Sequence, residues 1–329
     1  MKPQLTYLEP RRIKNNINAS DAGKLGIDII LSLNQVAYSN PMDWPSYLRM
    51  SAGKGVELQM MKVLKQNNII DQEYDQDFEY FQPDIADSPL QKRERESTKI
   101  VRNGVTISMR FDAEVKKGGA VLSTLDNLLP QGSEIVLSEG EPIEIKSINN
   151  KNSFDIQKYI DNKPRESYVY QLAIYMDALN KEQGHLFVSS IDGLNYFWFV
   201  CKKTGEGIYQ CGETVVDLNK EYARFAKLVE VSKNIWNYPV MKEYWNEVKY
   251  KKPIADIDWS KLSVSAIGDV RNGRKVIGDD DKWMIDYSSY KDIIVYMQGE
   301  KLGYTDEELD IIRTLTAGFS AKKKAEPKE

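Results

Sequence analysis

Glu144 and Lys146 stand two residues apart in Ile143-Glu144-Ile145-Lys146, a run whose alternation reads as a β-strand. A period of two puts both side chains on one face and Ile145 on the other. On that face a carboxylate can ligate a hard cation such as Mg²⁺. The lysine can hold or deprotonate a water and neutralise phosphate charge. The triplet is cheap by itself: Glu-x-Lys recurs at Glu114–Lys116, Glu247–Lys249 and Glu326–Lys328, and a cross-strand salt-bridge face would look the same.

A second acid sharpens the reading. Asp112 lies in Ile107-Ser-Met-Arg-Phe-Asp112-Ala-Glu-Val, a strand-like run upstream of Glu144, and antiparallel pairing would bring the two carboxylates together. Asp112 and Glu114 could equally form the polar face of an exposed strand. The gap between Asp112 and Glu144 exceeds one hairpin, which implies an insertion around 117–133. Further on, Gln171 and Tyr175 are an i,i+4 pair on one helix face. Such a pair could bind phosphate or a flipped base, but a core tyrosine with its hydroxyl satisfied would carry the same spacing.

The elements that must position these residues follow from periodicity and punctuation. The pattern predicts a helix over 19–38 capped by Ser20 or Asp21, a break at Asn40–Pro45, and a second helix from Tyr47 to about Gln66. Residues 71–97 read as loop with a short strand at Phe78–Phe81. Strands are predicted at Lys99–Ser108, Met109–Lys116, Glu134–Ser138 and Pro142–Ser147, with a turn at Gly118-Gly119. A strong helix follows over Tyr168–Lys181, then strands at His185–Ile191 and Tyr196–Cys201, and a helix over Glu221–Asn237. The succession implies an α/β fold with a mixed sheet. Residues 283–298 and 305–315 read as a small unit. The tail from Ala321 is expected to be disordered.

Composition bounds the function. The chain has 329 residues, 41% hydrophobic and 29% charged, which is ordinary for a globular protein able to bury a large core. No run of about 18 apolar residues is present, so no membrane helix is expected. With no apolar leader at the N-terminus, the expected location is the cytoplasm of a bacterial cell or phage-infected host. Net charge is −4 and pI ≈ 5.5, which argues against a protein that coats nucleic acid. Basic clusters do occur: Arg11 to Lys14, Lys92 to Arg95, Lys249 to Lys252, Arg271 to Lys275 and Lys322 to Lys324. Each reads first as a solvated face; the first two flank the acidic residues and are the better phosphate-contact candidates. No Walker A pattern is present, so helicase activity is not expected. The only two cysteines, Cys201 and Cys211, flank a hairpin turn expected at Lys203–Gly207 and read as free thiols; two cannot make a Cys₄ site. His185, the single histidine, is assigned a structural role.

Asp112, Glu144-Ile-Lys146 and Gln171-Leu-Ala-Ile-Tyr175, in that order, resemble the PD-(D/E)xK nuclease superfamily. The RecB-type branch, with the CRISPR-associated spacer-acquisition nucleases and phage exonucleases, is the most similar. Gly53-Lys-Gly-Val-Glu57 resembles its first motif, with Glu57 in a slot taken by His or an acid. The resemblance spans roughly residues 20–200. It implies a restriction-endonuclease-like core with a mixed central sheet flanked by helices, plus a C-terminal accessory region. The segments would be 1–46 (helical), 47–215 (nuclease core) and 216–329 (accessory, for a replication or recombination partner). It further implies Mg²⁺ or Mn²⁺ held by Asp112, Glu144 and the Ile145 carbonyl with support from Glu57, Lys146 acting on the nucleophile, and Gln171 and Tyr175 steadying DNA. The iron–sulfur cysteines of some members are absent, so no such cluster is expected. The implied activity is DNA cleavage, from ends of linear or single-stranded DNA. Two alternatives stand beside it: a restriction- or repair-type endonuclease, and a catalytically silent nucleic-acid-binding or assembly subunit.

Overall fold

A computed structural model describes residues 16–24, 26–34, 44–70, 98–116, 120–123, 134–148, 153–191, 195–233 and 288–290. The expected strand at Phe78–Phe81, both basic clusters near the acids, the 305–315 unit and the tail lie outside them. In chain order the strands are β1 (Asn16–Asn18), β2 (Thr98–Arg102), β3 (Val105–Met109), β4 (Ala113–Glu114), β5 (Ala120–Ser123) and β6 (Glu134–Leu137). They continue with β7 (Pro142–Ile148), β8 (Gln183–Ser190), β9 (Tyr196–Gly205), β10 (Ile208–Cys211) and β11 (Thr214–Asp217). The helices are α1 (Gly26–Leu33), α2 (Trp44–Gln66), α3 (Ser153–Ile160), α4 (Glu166–Leu179) and α5 (Leu218–Ser232).

The main sheet has six strands in the order β11-β10-β9-β8-β7-β4. It is mixed: β7 and β8 run parallel, while β4 pairs β7 and β9 pairs β8 antiparallel. Parallel neighbours need a crossover, and α3 with α4 supplies it. Strand β7 is buried on both faces, so its two alternating sets of side chains meet different partners. Ile143 and Ile145 join Phe187, Trp198 and the Met60, Met61 and Leu64 side chains of α2. Ile148, on the face of Glu144 and Lys146, packs in the larger core with Leu172, Ile174 and Tyr175 of α4.

Several expectations are corrected. The predicted helix over 19–38 is a 3₁₀ turn at Ala19–Asp21 followed by α1, because Gly23 takes φ +81° and interrupts it. The strand expected over Lys99–Ser108 is a hairpin. Asn103 and Gly104 both take positive φ, at 49° and 75°, the geometry of a tight Asn-Gly turn, and β2 folds back on β3. Helix α3 was not anticipated. β1 pairs with β3, while Leu218, Phe225 and Leu228 of α5 share a core with Ile30 and Leu31 of α1. Tyr290 is buried in that core too, and Ser288 Oγ donates to Asp28 Oδ1 at 2.6 Å. Among the described residues no helix is long and apolar enough to cross a membrane.

Candidate active site

The short β4 ladder pairs Ala113 with Ile143 and Glu114 with Pro142, which brings Asp112 level with Glu144. Pairing then ends, and the Asp112 carboxylate takes the place of the next ladder partner: Ile145 N–H donates to Asp112 Oδ2 at 2.8 Å. In a strand the N–H and C=O of one residue point to the same side, so the Ile145 carbonyl faces this same edge.

Glu144 is fully buried, and neither of its carboxylate oxygens accepts a hydrogen bond of good geometry. Its charge is met by the Lys146 ammonium, which closes an ion pair on Oε1. Burial raises the Glu144 pKa above the usual carboxylate range against the opposing pull of Lys146, and Glu57 adds to the rise. Burial, then the Glu144 and Glu57 charges, push Asp112 well above that range too. Burial works against the Lys146 ammonium, but Glu144 and Asp112 outweigh it and hold its pKa up. The Asp112, Glu144 and Glu57 carboxylates thus share a cramped, poorly solvated space with the Lys146 ammonium.

Glu57 arrives from α2. The helix can lie close to β7 because residue 53 is glycine: a Cβ there would collide with Ser147 Oγ. One turn later Glu57 Oε2 accepts from Lys54 Nζ at 2.8 Å, with only 12% of the Glu57 side chain exposed. The motif's glycine and acid therefore work as a spacer and a charge on one helix face.

Helix α4 covers the other side. Gln171 Nε2 donates to Tyr175 Oη at 2.6 Å, and Tyr175 Oη donates to the Arg110 carbonyl at 2.9 Å. Tyr175 is 1% exposed and meets Phe111 edge-on at 5.5 Å between ring centroids. Burial, and then the Glu144 charge, raise its pKa, so it stays a phenol and a donor. The pair braces the backbone just before Asp112. Tyr175 has almost no surface left for a nucleic-acid strand, and Gln171, 8% exposed, has little.

Tyr168 was not singled out from the sequence, although it falls on the same stripe as Gln171 and Tyr175 (i, i+3, i+7). It is half-buried, where α4 emerges from the core. Lys146 Nζ and Arg165 Cζ each lie 5.7 Å from its ring centroid. The one histidine is fully buried: His185 Nδ1 accepts from Trp198 Nε1 at 3.2 Å, leaving its Nε2–H to donate to Glu141 Oε2 at 2.8 Å. Cys201 and Cys211 are free thiols, both buried, and directly opposite one another across β9 and β10.

Among the described residues, no three His, Cys, Asp or Glu side chains form a group arranged to hold a metal ion. The Lys146 ammonium pairs with Glu144 in this cluster, and the Lys54 ammonium with Glu57. No protein-family model and no curated protein matches the chain. Among solved structures the chain is similar to the crystal structure of SSO0001, at 15% identity over 68% of this chain and 78% of that one, with a TM-score of 0.35. A likeness at that level says nothing about function.

Proposed function

We propose that this chain is a metal-dependent deoxyribonuclease with a RecB-type, restriction-endonuclease-like core, acting on ends of linear or single-stranded DNA. The observation that carries the reading is Glu144. A fully buried carboxylate that meets the Lys146 ammonium but is crowded by Asp112 and Glu57 leaves excess negative charge in a poorly solvated space, which a further cation would offset. The donor set suits Mg²⁺ or Mn²⁺, which prefer oxygen ligands. Glu144, Asp112 and the Ile145 carbonyl would hold the ion, with Glu57 in support. A bound divalent cation supplies Lewis acidity toward a phosphoryl oxygen and lowers the pKa of water.

The chain's own residues divide the rest of the work. Lys146 neutralises charge that builds on the phosphate and holds the attacking water in line. Asp112 fixes the end of β4 to β7 through Ile145 N–H, so the two acids keep their spacing. Gln171 and Tyr175, expected from sequence to steady DNA, act here by bracing the Arg110–Asp112 backbone. The low overall basicity favours a local channel over the wrapping of duplex DNA.

A second reading, a catalytically silent nucleic-acid-binding subunit, is favoured by one observation: Lys146 already neutralises Glu144. Incubation of single-stranded, linear duplex and covalently closed circular DNA with Mg²⁺, Mn²⁺ or EDTA separates the possibilities. End-dependent loss of linear and single-stranded DNA, with circles resistant and EDTA abolishing cleavage, is the expected result. Rapid linearisation of supercoiled plasmid at defined positions would favour the endonuclease, and no cutting with either metal the silent subunit.

A further inference from the structure

We propose that Tyr168 is a positioning residue for Lys146, its ring face holding the ammonium in place when Glu144 turns to a divalent cation. The inference rests on the metal-dependent reading above. In the structure the ammonium meets groups of different kinds: the Glu144 carboxylate, in direct ion-pair contact, with the Asp112 charge close by, and the Tyr168 ring, with its centroid 5.7 Å away. A carboxylate shared between an ammonium and a divalent cation binds the ammonium less tightly, since the doubly charged ion dominates its field. The aromatic face carries no formal charge and does not compete for the metal. It is attractive to a cation, and more so where water is scarce. The Lys146 side chain is 23% exposed, so the ring contact is only partly screened.

Geometry supports a shaped platform. Tyr168 occupies the first turn of α4, whose next turns are fixed in the core by Val169, Leu172 and Tyr175. Arg165 Nη1 donates to the Tyr168 hydroxyl at 3.4 Å, which steadies the ring from the solvent side. Lys146 is thereby kept at the mouth of the site, where substrate would enter, instead of swinging into water. Loss of the ring would leave binding of DNA largely intact and misplace the group that acts on the nucleophile.

The test replaces Tyr168 in the full chain with phenylalanine, with phenylalanines of increasing fluorine content, and with leucine. Fluorination preserves shape while draining the ring face of negative potential, so folding is not at issue. The expected result is a kcat on linear DNA that Tyr168→Phe largely restores and that falls stepwise with fluorine, by about tenfold at the most fluorinated ring, with KM little changed. In parallel, the Lys146 ε-methylene protons, followed by NMR in lysine-labelled protein, should show an upfield ring-current shift that persists with Mg²⁺ and disappears in Tyr168→Leu. A kcat indifferent to fluorine content would overturn the proposal, as would Lys146 resonances unchanged in Tyr168→Leu. If the wild-type chain cuts no DNA with either metal, the nuclease reading falls, and the NMR comparison alone upholds or overturns the Tyr168–Lys146 contact.

Discussion

Glu141 and Glu144 lie three residues apart at the head of one strand, and both are buried. Glu141 is surrounded by donors: the Ser138 backbone N–H at 2.8 Å, His185 Nε2 at 2.8 Å and Gln183 Nε2 at 3.4 Å, all to Oε2. Burial raises its pKa, but the hydrogen bonds from His185 and Ser138 outweigh it and bring the value below the usual carboxylate range. Glu144 meets the Lys146 ammonium but no backbone N–H or neutral side-chain donor, shares its space with two more carboxylates and is shifted upward. A carboxylate recruited for stability is wrapped in donors, whereas one left short of them is available to a ligand.

The largest effect should come from removing the strained acid. Glu144→Gln and Asp112→Asn should each cut Mg²⁺-dependent DNA cleavage on the order of 1,000-fold with little change in melting temperature. Lys146→Ala should cut it at least ~100-fold and lower the melting temperature, because it leaves the buried Glu144 without its counter-charge. A purified Asp112→Asn chain that cut at the wild-type rate would end the comparison, because Asp112 and Glu144 would then both be structural.

The satisfied acid should behave in the opposite way. Glu141→Ala strips the His185 and Ser138 donors of their acceptor in a buried setting, at a cost of about 2–4 kcal/mol by denaturant titration. Cleavage per folded molecule should be unchanged. A loss of activity without a loss of stability would place Glu141 in the chemistry after all.

A smaller effect tests a third, partly buried acid, on helix α1. Desolvation pushes Asp28 up to about 6 from 3.8 despite the hydrogen bond from Ser288. The folded state therefore binds this proton more tightly than the unfolded chain. Stability from this group is fully present below the unfolded pKa and is lost as pH rises from about 4 to about 6. Asp28→Asn should remove that slope, so the mutant gains on wild type across this window and keeps its advantage above it. Parallel stability curves for the two proteins between pH 4 and 7 would refute the assignment.

Much of the site was legible in the sequence because its parts are local. The alternation through Ile143–Lys146, the helical stripe from Gln171 to Tyr175 and the turn-rich approach to β7 each need only a few neighbours. The opposition of Asp112 and Glu144 followed from one antiparallel pairing. The burial of Tyr175 did not follow, because spacing alone cannot distinguish a core hydroxyl satisfied by Arg110 from one exposed to substrate. The β2–β3 hairpin was missed for a different reason. Alternation continues on both sides of Asn103-Gly104, so the turn hides inside what reads as one long strand, though the dipeptide itself signals it. The docking of Ser288 on Asp28 joins residues 260 positions apart, and no local pattern encodes it.

Gly53 gives the site a ruler. The distance between α2 and β7 is set there by a missing methyl group, since a Cβ would collide with the Ser147 hydroxyl. Side-chain volume at position 53 therefore translates into elevation of the helix, and one turn later into the reach of Glu57 toward Asp112 and Glu144. Pruning Ser147 to alanine opens the opposing surface. The spacing of the carboxylates is thus adjustable from two small residues, and under the proposed metal-dependent reading it is a dial for matching the cluster to ions of different radius.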